Sequence, residues 1–317
     1  MTAPLIYPAT VTPDLEPLKQ LSTEKQYLKV SVCVPTYFGA EYIESCLISI
    51  ASQKNVALQI VVCDDQSSDG TLEIVEKVAS TYQEVDWVIR SNPKRLGMVE
   101  NWNACVAFAD SEFVKLMGQD DVLRAGCLSE QTSVLEANPN VSVVAARRAI
   151  INSAGITVLN APSPFKPGLT SGREAAVQCM LSGTNTIGDP VSLLFRTRLL
   201  REAGPFDVHI RYCTDVAMTM RMLGLGDLFF DSTPRVGYRI HRNAVGKASQ
   251  QIVVSDFLRC LSISEETFGL KFTKETRFYV ALKSKILSII RLRLYDVFNQ
   301  WPFMRRSNKG EEVRGNH

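Results

Sequence analysis

Four positions along the chain carry side chains whose types and spacing could do chemistry. The first is Asp64-Asp65-Gln66-Ser67-Ser68-Asp69-Gly70-Thr71, which follows directly on the apolar run Val61-Val62-Cys63. Ser68 or Asp69 can cap the helix that starts there, so folding alone explains part of the cluster. Capping does not require Asp64 and Asp65 as well. A carboxylate at a strand end is well placed to accept a hydrogen bond from a base or a ribose hydroxyl, whereas the competing reading makes the pair part of a polar loop.

The second position is Gln119-Asp120-Asp121. Adjacent like charges repel, and a hard divalent cation, Mg²⁺ or Mn²⁺, is the usual compensation because it can also bridge diphosphate oxygens. A solvated turn would tolerate the same two acids. If the backbone is still extended there, Gln119 and Asp121 face one side and Asp120 the other. The third is Asp215, a carboxylate entering the apolar stretch Val216-Ala217-Met218; such an acid is either a first-turn residue favoured by the helix dipole or a proton acceptor. The fourth is His241, at the end of Tyr238-Arg239-Ile240, where an imidazole could ligate a metal, contact phosphate or serve only packing.

The elements that must position these groups alternate. Short β-branched runs at residues 30–34, 58–63, 87–89 and 113–116 are separated by helical patterns at 42–53, 71–80 and 99–108. Repeated strand, helix, strand units imply right-handed crossovers and a mostly parallel sheet covered on both faces. Both acidic clusters then fall at C-terminal strand ends, where open α/β sheets bind ligands. Further on, the pattern predicts a helix to about residue 137, strands near 141–146, 191–195, 228–230 and 236–240, and helices near 173–181 and 215–223, with a Pro/Ser/Gly-rich loop at 160–170.

Residues 1–28, with Pro4, Pro8, Pro13 and Pro17, read as a flexible leader. Residues 29–248 form the main domain, divided into a ligand-binding half at 29–122 and a second half at 123–248, and residues 249–317 form a helical extension. Within that extension, 283–306 mixes Ile286, Ile290, Leu294, Phe298 and Trp301 with Lys and Arg, as a helix would that lies on an anionic membrane surface or packs on the domain.

Bulk properties narrow the class. Apolar residues at 45% and charged residues at 21% suit a globular protein, and a net charge of +2 argues against nucleic-acid binding. Eight cysteines are widely spaced, without zinc-site or redox-motif spacing, and read as small buried hydrophobes in a reducing compartment. No apolar run approaches the about 20 residues a membrane span needs, so the expectation is a cytoplasmic protein, peripheral at most to the inner membrane face.

Taken in order, these pieces resemble the family 2 glycosyltransferases of GT-A fold. The resemblance runs from about Val30 to Lys247 and rests on Val30-Ser31-Val32-Cys33-Val34-Pro35-Thr36-Tyr37, the Asp-Asp-x-Ser-x-Asp-Gly-Thr stretch at 64–71, Gly97 to Asn103, the acidic pair, and Gly204-Pro205-Phe206-Asp207 ahead of Asp215. The family implies a Rossmann-like, mixed but mainly parallel sheet and a nucleotide-sugar donor. It implies a base pocket of Pro35, Thr36 and Tyr37, with Asp65 accepting from the nucleobase and Asp120 meeting the ribose. Asp121 matches the metal ligand on the diphosphate, His241 a histidine near the metal or diphosphate, and Asp215 the general base of an inverting transfer. Lys94 and Asn101 follow in a stretch that approaches the donor. Gln119 departs from the commoner Asp, which implies weaker metal affinity or a contact with the sugar.

The acceptor implied by the family is a saccharide or lipid-linked saccharide, in surface polysaccharide or glycolipid synthesis. A nucleotidyltransferase would also use metal and diphosphate on such a sheet, but would carry a Gly-rich basic loop after the first strand, where this chain has Phe38-Gly39-Ala40-Glu41. A non-catalytic binding protein would not need both Asp121 and Asp215.

Overall fold

The structure is a computed structural model that describes residues 29–241 and 250–311. The expected leader at 1–28 and the expected boundary at 248 lie outside the described residues. Strands β1 (Lys29–Thr36), β2 (Ala57–Asp64), β3 (Asp86–Ser91) and β4 (Phe113–Leu116) alternate with helices α1 (Ile43–Ala51), α2 (Thr71–Thr81) and α3 (Met98–Ala107). Next come β5 (Val122–Leu123), α4 (Cys127–Ala137), β6 (Val141–Ile151), β7 (Thr157–Asn160), β8 (Gly168–Thr170) and α5 (Gly172–Ser182). The chain continues with β9 (Leu193–Arg196), α6 (Thr197–Ala203), α7 (Thr214–Leu223), β10 (Asp227–Arg239), α8 (Gln250–Phe268) and α9 (Lys274–Glu311).

One sheet runs in the order β3-β2-β1-β4-β9-β6-β10-β5, with β7 paired to β6 and β8 to β10. The longest ladders, β1 with β2, β2 with β3 and β6 with β10, are parallel, whereas β9 runs antiparallel between β4 and β6. The sheet is buried on both faces, which is why its strands read as continuous apolar runs. In β1, Val30, Val32 and Val34 pack with Ile43, Leu47, Val75 and Leu128 on one side, while Cys33 joins Val99, Met180, Leu199 and Phe257 on the other. All eight cysteines are buried and unpaired.

Several local expectations are corrected. The loop expected at 160–170 is bracketed by β7 and β8, short strands with too few apolar positions to show an alternation. The two strands expected near 228–230 and 236–240 are one, β10, which breaks register around Pro234; a proline cannot donate to the ladder, and the strand continues beyond it by bulging. The C-terminal helical stretch is two helices, separated after Gly269, whose φ of +61° ends α8 in the left-handed conformation.

Candidate active site

A cleft of about 550 Å³ opens at the C-terminal ends of β1, β2 and β4 and extends across α7 to α8 and α9. Of the residues singled out in the sequence, Pro35, Thr36, Tyr37, Asp65, Asn101, Asp120, Asp121, Asp215 and His241 line it. Lys94 does not; its neighbour Arg95 does, with its guanidinium 4.2 Å from the centre of the Tyr37 ring.

Parallel pairing sets the first part of the site. Thr36 and Asp64 are register partners, so the ends of β1 and β2 sit side by side. Asp64 is fully buried and acts as a brace, accepting from Thr36 Oγ1 at 3.0 Å and from Ser67 N at 2.8 Å. Asp69 accepts from Thr71 N and from Ala40 N, bracing the turn ahead of α2, whose N-cap is Gly70 and carries no side-chain cap, so neither Ser68 nor Asp69 caps the helix as expected. Asp65, only 2% exposed, accepts from Asn92 Nδ2 at 2.9 Å, Leu96 N at 2.7 Å and Gly97 N at 2.8 Å. It therefore shapes the 92–97 loop that carries Arg95, and a carboxylate's about four acceptor positions leave room for one more donor. Asn101 is buried in the same network, donating to Cys63 O and accepting from Asn92.

The acidic pair sits differently from its extended-chain expectation. Residues 118–121 form a turn in which Asp121 N donates to Gly118 O, so the two-residue alternation of a strand does not apply. Both carboxylates fold back over Gly118: a Cβ there would meet Asp120 Oδ1 at 2.8 Å and Asp121 Oδ2 at 3.2 Å. The other oxygen of each is committed, since Asp120 Oδ2 lies 2.8 Å from His241 Nε2 and Asp121 Oδ1 accepts from Arg239 N at 2.8 Å. Burial, and then the neighbouring Asp120, hold the Asp121 carboxyl well above the usual carboxylate range. His241 also packs against Tyr42, ring centres 4.7 Å apart.

Two carboxylate oxygens converging on one point, with an imidazole beside them, suit a hard divalent cation. Among the described residues no set of three or more His, Cys, Asp or Glu could hold a metal by itself, so further ligands would have to come from diphosphate or water. Gln119 has both ends of its amide engaged. Its Nε2 donates to Tyr37 O at 3.0 Å and its Oε1 accepts from Tyr37 N at 2.9 Å, a two-point clamp on the backbone of Tyr37, a residue expected in the base pocket. An Asp could supply no donor there.

Asp215 lies in the first turn of α7, with Asn185 Nδ2 donating to Oδ2 at 3.0 Å. Burial, reinforced by Asp189, raises its carboxyl to about 7. That is the range in which a carboxylate serves as a general base near neutrality. Asn185 is itself fixed, donating to Gly188 O and accepting from Gly188 N. Asp189 pairs with Arg148 at 3.1 Å.

Asn185, Asp189, Arg211, Tyr212, Arg239 and Arg291 all line the cleft without having been found in the sequence. Arg239 adjoins His241 and could have been included; Asn185 and Arg291 carry no local signal, sitting in a mixed-polarity loop and a long helix.

A cleft at parallel strand ends, an acidic turn beside it and a buried carboxylate across it bring together most of the residues that the resemblance singled out. The chain belongs to glycosyl transferase family 2, whose family model matches residues 31–202, more than half of its length. An uncharacterised Mycobacterium tuberculosis protein is 32% identical over 202 residues, 61% of each chain. The abequosyltransferase RfbV of Salmonella typhimurium is 32% identical over 114 residues, covering 35% of this chain and 34% of that one. The chain thus spans less than two thirds of the length of these curated relatives. Among solved structures, the 1–349 portion of S. aureus TarS in complex with UDP-GlcNAc superposes with a TM-score of 0.60 at 20% identity, covering 82% of this chain and 81% of that one. The mannosyltransferase PcManGT of Pyrobaculum calidifontis, in complex with GDP-Man and Mn2+, does so at 0.55 and 17%, covering 92% and 77%. These likenesses establish the shared GT-A-like fold.

Proposed function

We propose that this family 2 glycosyltransferase moves a sugar from a nucleoside-diphosphate donor to a hydroxyl of a saccharide or lipid-linked saccharide, with inversion. One observation carries the reading: Asp215, poised at about 7, opens on the same cleft as Asp65, Asp120 and Asp121. The nucleobase lies against Pro35, Thr36 and Tyr37, with Asp65 accepting from its edge and Arg95 stacked behind Tyr37. Asn101 holds the floor of this half through β1 and β2.

Asp121 and His241 hold a divalent cation, Mn²⁺ or Mg²⁺. Asp120, expected at the ribose, turns its free oxygen toward the same point as that of Asp121 while its Oδ2 is held by His241 Nε2. When bound, the cation neutralises charge on the departing diphosphate. Across the cleft, Asp215 takes the proton of the acceptor hydroxyl while its oxygen attacks the anomeric carbon from the face opposite the leaving group. The bond between that carbon and the diphosphate oxygen breaks as the new one forms, and the configuration inverts.

Polysaccharide or glycolipid synthesis at the inner membrane face suits the exposed side of α9. It shows Phe278, Leu282, Ile286, Ile290 and Leu294 alongside Lys285 and Arg293, while among the described residues no helix is long and apolar enough to cross a membrane.

The test is release of nucleoside diphosphate from a panel of nucleotide sugars with Mn²⁺, with EDTA, and with Asp121→Ala. Turnover of one donor, lost with EDTA, and nucleotide binding weakened at least about tenfold in the variant are expected. Absence of nucleotide binding across the panel would overturn the reading, and Mn²⁺-dependent binding unchanged in Asp121→Ala would remove that residue from the metal.

A further inference from the structure

Helix α9 turns an unusual face to the cleft. Buried helix faces are normally apolar, yet Ser284, Ser288 and Arg291, spaced one turn apart, line the acceptor side. Ser284 is 2% and Ser288 4% exposed. The Nε of Arg291 is buried with no hydrogen-bond partner among the described residues, and none of their ion pairs includes its guanidinium. Its one ring contact is with Tyr212, 5.2 Å from the ring centre. The nearby carboxylate of Asp189 is already paired with Arg148. Tyr212, Tyr238 and Tyr295, the other groups around Arg291, have hydroxyls that burial pushes upward, so they stay neutral, and its charge is favoured through space by Asp189, which Arg148 already pairs. Arg211 adds a second cation to the rim of this half of the cleft.

A desolvated guanidinium without a carboxylate is costly unless a ligand completes it. Resting on the transfer proposed above, we propose that Arg291, with Ser284, binds an oxyanion carried by the acceptor, a phosphate or a carboxylate on the sugar that presents its hydroxyl to Asp215. The planar fork of Arg suits either group bidentately, and the Ser284 hydroxyl supplies a further donor, while the Ser288 hydroxyl already donates to Lys285 O at 2.8 Å.

Saturation-transfer NMR on the full chain tests this, with Mn²⁺ and excess UDP or GDP filling the donor half. The charged probes are glucose 1-phosphate and glucuronate, and methyl glucoside is the neutral control. At least one charged probe should bind about tenfold or more tightly than methyl glucoside, and which one does so identifies the oxyanion as phosphate or carboxylate. Arg291→Gln should abolish the preference and Arg291→Lys retain part of it, with nucleotide affinity unchanged in both. Equal binding of charged and neutral probes by the wild-type chain overturns the proposal, as does a preference that survives in Arg291→Gln. A tenfold loss of nucleotide affinity in Arg291→Gln also overturns it, because the guanidinium would then serve the donor diphosphate. Nucleotide affinity of the wild-type chain is read separately, so failure of donor binding and failure of this subsite are distinguishable.

Discussion

Replacing Asp215 by Asn separates its electrostatic cost from its chemistry. The folded chain holds this carboxyl at about 7 against an ordinary 3.8, first through burial and then through Asp189. Because the folded value is the higher one, folding favours the protonated form. The stability this lends is complete below about 3.8 and is lost as pH rises toward about 7, above which the ionised group weighs fully against the fold. The ceiling is about 4 kcal/mol, reduced to about 2–4 kcal/mol by the side chain's contact with the open cleft. The Asp215→Asn variant, having no charge to bury, would escape that cost. Its amide oxygen can still accept from Asn185 Nδ2, but its –NH₂ then stands where the second carboxylate oxygen was, at a cost of about 1 kcal/mol at every pH. Asp215→Asn should thus melt at or slightly below the wild-type temperature near pH 4.5 and about 2–5 °C above it at pH 8.5, as read by scanning calorimetry. Transfer should fall about 10²–10⁴-fold with nucleotide affinity intact. Melting curves that run parallel from acid to alkali would refute the buried, raised carboxyl, and a variant that still transfers would refute its role as base.

Two other substitutions test how the site is braced. The hydrogen bond from Asn185 lowers the Asp215 carboxyl, so Asn185→Ala should move the acid limb of the pH–rate profile upward, cutting kcat about tenfold at pH 7 with recovery toward pH 9; an unmoved limb would dismiss Asn185 as a positioning residue. Gln119→Glu keeps the acceptor for Tyr37 N but loses the donor to Tyr37 O, at a cost of about 1–3 kcal/mol in urea unfolding. It should raise the donor KM more than it lowers kcat, and an unchanged KM would mean the clamp does not shape the base pocket.

How much of this site was legible in the sequence depends on how each residue reaches it. The strand-end acids could be read because a parallel sheet places consecutive residues at one edge. β1 and β2 end in register at Thr36 and Asp64, so the chain's local text of apolar run followed by carboxylates is also its spatial arrangement. Asp215 was readable for a related reason, since an acid at the start of an apolar helix stands out from its neighbours. Where the backbone is irregular, the text fails by a single residue. Whether Lys94 or Arg95 faces the cleft is decided by the bend that Asp65 imposes through Leu96 N and Gly97 N, hydrogen bonds between residues about thirty apart in sequence.

The same physics explains why the clamp made by Gln119 was not read and Arg291 was missed. In the sequence Gln119 shows only as a departure from the commoner Asp; its partner is the backbone of Tyr37, 82 positions earlier, brought within reach by the pairing of β1 with β4. Arg291 lies in a stretch where Lys and Arg alternate with apolar residues, and such a pattern fits a membrane-lying helix and a packed one alike. Only the docking of α9 against α5 and α8 decides which face turns inward. Once Val280, Ser284 and Ser288 are buried, the helical repeat carries Arg291 to the cleft and leaves Ile286, Ile290 and Leu294 outside. The inward face therefore adds Ser284, Ser288 and Arg291 to the apolar Val280, and the outward face sets exposed apolar residues beside Lys285 and Arg293. Polar groups on a buried face suit packing on a cleft that takes a polar ligand.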